Sequence, residues 1–125
     1  MDRMEHARAL RAITDKHYNC CQSVLVPFAD RLGLTEEQAY ALGANFGSGM
    51  RHGSTCGALT GALMALGMAY GDENNRQCGK SLEFLKTFEA EFGCLCCRDI
   101  LSKHEKKLCP ALIEFAANYL EDEFK

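Results

Sequence analysis

Proline is scarce, with two in 125 residues, and apolar side chains recur mostly at helical rather than alternating spacing. No segment reads as a strand, so sheet architectures are set aside. No apolar run is long enough for a membrane span, which needs roughly 18–20 residues. The longest covers residues 56–70 and is interrupted by Gly57, Gly61 and Gly67. Residues 1–11 carry Asp2, Arg3, Glu5, His6, Arg8 and Arg11, with no apolar core of a secretion signal. There is no low-complexity segment, internal repeat or dividing linker, so residues 1–125 are expected to form a single domain. Excess positive charge is also absent: the net charge of −3 argues against a broad nucleic-acid face. Disorder is excluded by 47% apolar and 25% charged residues.

Cysteine is what the chain has in abundance. Eight in 125 residues is below the density of a disulfide-stapled mini-protein. Their distribution also differs from a secreted framework: Cys20 and Cys21 are adjacent, and Cys94, Cys96 and Cys97 crowd together. A reducing cytoplasm is the expected compartment, where clustered cysteines more often bind metal or act in redox chemistry.

The periodicity predicts about six or seven helices in an all-α bundle. Residues 2–16 form the first. Asn19 with Gln22 makes a capping box for the second, whose inner face is Val24, Leu25, Phe28, Ala29 and Leu32. Pro27 should bend or divide it, and Gly33 should end it. Thr35 with Gln38 opens the third, with Ala39, Leu42 and Phe46 inward. Residues 47–54 hold three glycines and read as a loop; without a Gly-Lys-Ser/Thr ending it is not a phosphate cradle. Thr55 or Ser54 should cap the fourth helix, residues 56–70. There Gly57, Gly61 and Ala65 form a stripe without bulk, which places this glycine-rich helix at the centre of the bundle. Such a stripe can pack within the chain or against a second copy, so a homodimer is possible. Leu82, Leu85, Phe88 and Phe92 give the inner face of a fifth helix, residues 75–92, stopped by Gly93. A short sixth includes Ile100 and Leu101. Pro110 opens the last, with Leu112, Ile113, Ala116, Tyr119 and Leu120 inward. Met64 and Met68 read as core filling.

Cys20, Cys56, Cys97 and Cys109 all fall at predicted helix starts. Unpaired backbone N–H groups and the helix dipole there favour the thiolate, which is the nucleophile and the metal ligand. If folding gathers the four, they can exchange disulfides or hold a metal. Cys78, four residues before Leu82, reads as a packing residue. Cys21, Cys94 and Cys96 could join the site or be neutral to it. Arg51 and His52 lie close by in sequence; His52 is a candidate proton donor or ligand, with a solvated loop histidine the plainer reading. The run 103–107 reads as a solvated face.

The segments Tyr18-Asn19-Cys20, Phe46-Gly47-x-Gly49, Cys56-Gly57-Ala58-x-x-Gly61-Ala62, Phe92-Gly93, Cys97-Arg98 and Cys109-Pro110 resemble the family named for the pattern C_GCAxxG_C_C. The resemblance runs from about Tyr18 to Leu120. It implies a small helical protein whose four motif cysteines carry redox chemistry, and it names no substrate. Two departures stand out. The order here is Cys-Gly-Ala where the label writes Gly-Cys-Ala, and Cys21, Cys78, Cys94 and Cys96 lie outside the four-cysteine pattern.

Three functions follow as expectations. One is thiol–disulfide exchange or electron transfer by Cys20, Cys56, Cys97 and Cys109, with oxidoreductase-like activity toward a redox partner protein or a small thiol. The alternative is metal binding by the same cysteines, whose number suits zinc or an iron–sulfur cluster. The third is an interaction module whose cysteines only pack. The four motif cysteines include no Cys-x-x-Cys pair, which weakens a thioredoxin-like version of the first.

Overall fold

The computed structural model describes residues 3–47, 49–70, 78–96, 99–100 and 109–124, apart from the side chains of Cys78 and Cys109. The fold is all-α. Six α-helices are described here: α1 (Arg3–Ala12), α2 (Cys20–Leu25), α3 (Glu36–Gly43), α4 (Gly57–Tyr70), α5 (Cys78–Phe92) and α6 (Cys109–Glu123). Asp99 and Ile100 are also helical, and the Ile100 N–H reaches back to the Cys96 carbonyl at 2.9 Å. Cys97 and Leu101 lie outside the described residues, as do residues 71–77 of the expected fifth helix and the charged run 103–107.

The enclosed element is α2. Cys21, Gln22, Ser23, Val24 and Leu25 are all buried, although a six-residue helix has little intrinsic stability. Burial of its two polar residues is tolerated because both are satisfied. The Gln22 side chain accepts from the Asn19 N–H and donates to the Tyr40 carbonyl, each at 2.8 Å, and the Ser23 hydroxyl donates to Tyr18 O at 3.3 Å. Asn19 completes the expected capping box by accepting from the Gln22 N–H at 2.8 Å, and its amide donates to Gly43 O at 3.0 Å. Losing both functions in Asn19→Ala should cost about 1–2 kcal/mol, read as a lower urea midpoint with an unchanged slope.

Pro27 does divide the helix, since α2 gives way to a 3₁₀ turn over Val26–Phe28. Gly33 ends the segment at φ 74°. The second capping box, Thr35 with Gln38, also forms. The first helix stops earlier than the expected 2–16, at Ala12. Its start is held by Arg3, which donates to Asp30 at 2.6 Å and lies over the Phe28 ring. At the other side of the bundle, Phe84, Phe88, Phe92, Phe115 and Tyr119 pack edge-to-face or tilted along the seam of α5 and α6.

Three inner-face expectations are corrected. Leu42 is 49% exposed, because α3 presents Ala39 and Gly43 to α2 instead. Leu82 is 59% exposed, and Phe84 with Phe88 forms the α5 inner face. Met68 is 52% exposed rather than core filling, since the second half of α4 runs out of the contact that buries its first half. The stripe Gly57, Gly61 and Ala65 is buried as expected. It serves α2, not a second copy: a Cβ at Gly61 would stand 2.8 Å from the Cys21 carbonyl oxygen.

Candidate functional site

The start of α2 sits in a socket of glycines. A Cβ on Gly43 would meet the Gln22 side chain at 2.9 Å, on Gly47 the Asn19 side chain at 2.7 Å, and on Gly57 the Cys20 Cβ at 3.1 Å. Side chains at these positions would push the first turn of α2 outward. Their absence brings the Cys20 backbone against the start of α4, one residue from Cys56. It also accounts for the Cys-Gly-Ala order, because position 57 faces both Cys20 and, at 2.9 Å, the Phe46 carbonyl oxygen.

Cys56 does not follow a Thr55 cap; it occupies the cap itself. Its carbonyl accepts from Leu59 and Thr60 N–H at 3.0 and 3.1 Å, which opens α4, while its own N–H donates to Leu95 O at 3.0 Å. That last bond ties in a distant segment. Thr55 and Cys96 form an isolated antiparallel bridge, so Cys96, which is exposed, lies beside the residue preceding Cys56. Cys94 is half-buried, with its sulfur 3.9 Å from Phe92 O.

The five cysteines with described side chains differ in burial. Cys20, first residue of α2, is half-buried. Cys56 and Cys21 are buried. Burial pushes the Cys21 thiol up to about 11; the nearby Cys56 sulfur adds to the rise, and the Thr60 hydroxyl opposes it. A thiol so placed stays protonated at neutral pH and is a poor nucleophile. Cys21 therefore belongs to the packing of the site, and Cys20 is the more accessible of the adjacent pair.

Of the four predicted cysteines, Cys20 and Cys56 are brought to one junction. Cys97 lies outside the described residues, though its neighbour Cys96 is at that junction. Cys109 opens α6, and its side chain is outside the description. Pro110, the next residue, shares a groove with Arg11, and Arg11 donates to the Tyr18 carbonyl at 2.9 Å, two residues before Cys20. Cys78 opens α5. Its side chain lies outside the description, and with it the expected packing role. No disulfide joins two of the described cysteines, and among the described residues no group of three His, Cys, Asp or Glu is placed to hold a metal ion. Counting the additional cysteines exposes a pairing beyond the four: Cys94 and Cys97 do stand in Cys-x-x-Cys spacing.

The loop before Cys56 carries backbone strain. Gly49, Met50 and Arg51 follow one another at φ 65°, 61° and 61°, and Gly53 is at 71°. Left-handed backbone costs a residue with a Cβ about 1–2 kcal/mol, and such strain gathers at functional sites. Met50 N–H to Phe46 O at 3.4 Å and Ser54 N–H to Gly49 O at 2.8 Å hold the turn. It leaves Arg51 and His52 exposed. Arg51 borders a groove of about 330 Å³ with His17, Asn19, Ala44 and Gly47, directly beside the start of α2. Glycine content marked this loop in the sequence, but spacing gave no sign that His17 would join it.

Comparison with curated proteins and with solved structures returns no match. No helix among the described residues is long and apolar enough to cross a membrane. Residues 18–123 match the family described as "putative redox-active protein (C_GCAxxG_C_C)", and the chain belongs to that family.

Proposed function

We propose that this chain works by thiol–disulfide exchange at the junction of α2 and α4, with Cys20 as the attacking thiolate. The observation that carries the reading is the glycine socket, where a Cβ on Gly57 would lie 3.1 Å from the Cys20 Cβ, with Cys56 the adjacent residue. Tight packing that excludes even a methyl group is hard to explain unless the two cysteine-bearing helix starts must meet. Family membership supports redox activity in general; the assignment to particular thiols is ours.

In the proposed step the Cys20 thiolate attacks one sulfur of a partner disulfide. A protein–partner disulfide forms, the partner's own S–S bond breaks, and its second sulfur leaves as a thiolate that takes a proton from water. A second motif thiolate, from Cys56, Cys97 or Cys109, then attacks Cys20 and releases the partner's other thiol. The protein gains one disulfide, and the partner disulfide becomes two thiols. Cys21 takes no part while it remains protonated.

Anaerobic purification, metal analysis and thiol counting before and after mild reduction test this reading. The expected protein is colourless and metal-free, and reduction after exposure to a disulfide raises its thiol count by two. Cys20→Ser should abolish that rise. Visible charge-transfer bands with bound iron, or one tightly held zinc, would assign the four motif cysteines to a metal site instead.

A further inference from the structure

We infer that the groove beside Cys20 is a carboxylate-binding subsite, and that the disulfides this protein exchanges with are small and anionic. The inference rests on the thiol reading above and adds the substrate class. The groove, of about 330 Å³, is lined by His17, Asn19, Ala44, Gly47 and Arg51. That volume is in the range of small-molecule pockets. Asn19 is the residue before Cys20, which sets the groove beside the first turn of α2.

The charge at the groove runs against the charge of the whole. The chain carries a net −3, yet among the described residues no carboxylate lines this groove. Lys16, next to His17, places its ammonium 4.2 Å from the Tyr40 ring centroid, and Arg11 holds the Tyr18 carbonyl, so two further cations flank residues 17–19. Two other arginine-bearing cavities show the contrast. In the larger one, of about 540 Å³, Arg3 is paired with Asp30 at 2.6 Å and with Glu121 at 3.4 Å. In the apolar groove beside α6, the Arg8 Nε donates to Glu114 at 2.6 Å. Arg51 makes no ion pair or hydrogen bond among the described residues. It is held at the groove by a left-handed turn at φ 61°, unfavourable for an arginine. A guanidinium suits bidentate capture of a carboxylate, and the exposed His17 side chain offers a further N–H donor, whereas the Asn19 amide is taken up by the Gly43 and Ala44 carbonyls.

The exchange step balances as written above. Cys20 forms a mixed disulfide with one half of the small disulfide, and the other half leaves as the free thiol. The test pairs reaction with binding, using the full chain. The rate of mixed-disulfide formation at Cys20 is measured with glutathione disulfide, which carries carboxylates, and with bis(2-hydroxyethyl) disulfide, which is neutral. Binding of the unreactive thioether S-methylglutathione is measured by calorimetry.

Arg51→Gln should slow the anionic disulfide and weaken the thioether about tenfold or more, while leaving the neutral disulfide unchanged. Arg51→Lys should restore part of the loss. Equal slowing with both disulfides, or no binding of S-methylglutathione to the unaltered chain, would overturn the subsite. S-methylglutathione bound through Arg51, with Cys20 inert to both disulfides, would support the subsite and refute the thiol reading instead.

Discussion

Gly61→Ala is expected to lower the unfolding free energy by about 2 kcal/mol, although alanine is the better helix former. The new Cβ would stand 2.8 Å from the Cys21 carbonyl oxygen and 3.2 Å from the Val24 Cβ. The first of these is backbone, held inside a helix buried from Cys21 to Leu25, and it cannot swing aside. Overpacking of this kind costs about 1–3 kcal/mol, or more, against a helix-propensity gain of about 1 kcal/mol. Gly61→Val should be worse, since a branched side chain adds bulk at a point with no room for the first methyl. Gly67→Ala, six residues along the same helix, is the internal control. No atom of the described residues lies within 4 Å of a Cβ there, so the propensity gain stands alone, and stability should rise by about 0.5–1 kcal/mol. Urea unfolding of the three variants reads the difference. Equal stabilisation by both alanines would mean that α4 does not pack on α2 as described.

Stability should also fall steeply between pH 9 and pH 11, and Cys21 should account for much of the fall. Burial raises its thiol to about 11 in the folded chain, from an ordinary value of 9.0. Below pH 9 the thiol is protonated whether the chain is folded or not, and the stabilising contribution is complete. Between the two values the unfolded chain gives up this proton while the folded chain keeps it. Fewer protons are then bound in the unfolded state, so stability declines as pH rises. Over the full window the loss is about 3 kcal/mol. Lysines and other thiols titrate in the same range, so the measurement is the difference between the parent and Cys21→Ala. The parent should lose more stability than the variant over this interval. Parallel pH profiles would show that Cys21 is already solvated in the folded state.

Much of the fold was legible in the sequence because local chemistry specifies it. Asn19 with Gln22 and Thr35 with Gln38 set two helix starts, and both boxes form. Gly33 and Gly93 set two stops, at φ 74° and 83°. The inward faces were harder. Leu42 and Leu82 have the spacing of core residues but are exposed, because hydrophobic period identifies a face without saying whether a neighbour covers it. The prominence of α4 in the sequence came from its long apolar run. The more enclosed helix, α2, is only six residues long and is hard to find by period.

The site was legible in its parts but not in its arrangement. Cysteines at helix starts could be named from caps and glycines, and the Cys20 Cβ lies against Gly57, the residue after Cys56. The contrast between Cys20 and Cys21 could not be read from adjacent positions on one helix turn. It arises because Gly43 and Gly61 bring α3 and α4 onto Cys21: a Cβ on Gly43 would lie 3.3 Å from its sulfur. Nor could spacing reveal that Thr55 pairs with Cys96, since a single bridge between residues about forty apart leaves no pattern in either segment.

Differential alkylation with mass-spectrometric mapping tests the central claim most directly. The native chain is exposed briefly to a disulfide at pH 7.5, its remaining thiols are labelled, and each cysteine is then assigned by peptide. The account predicts that Cys20 changes oxidation state first and reversibly, while Cys21 stays reduced and resists labelling until the chain is unfolded. A Cys21 that is oxidised or labelled as fast as Cys20, or a Cys20 that never changes, would contradict it.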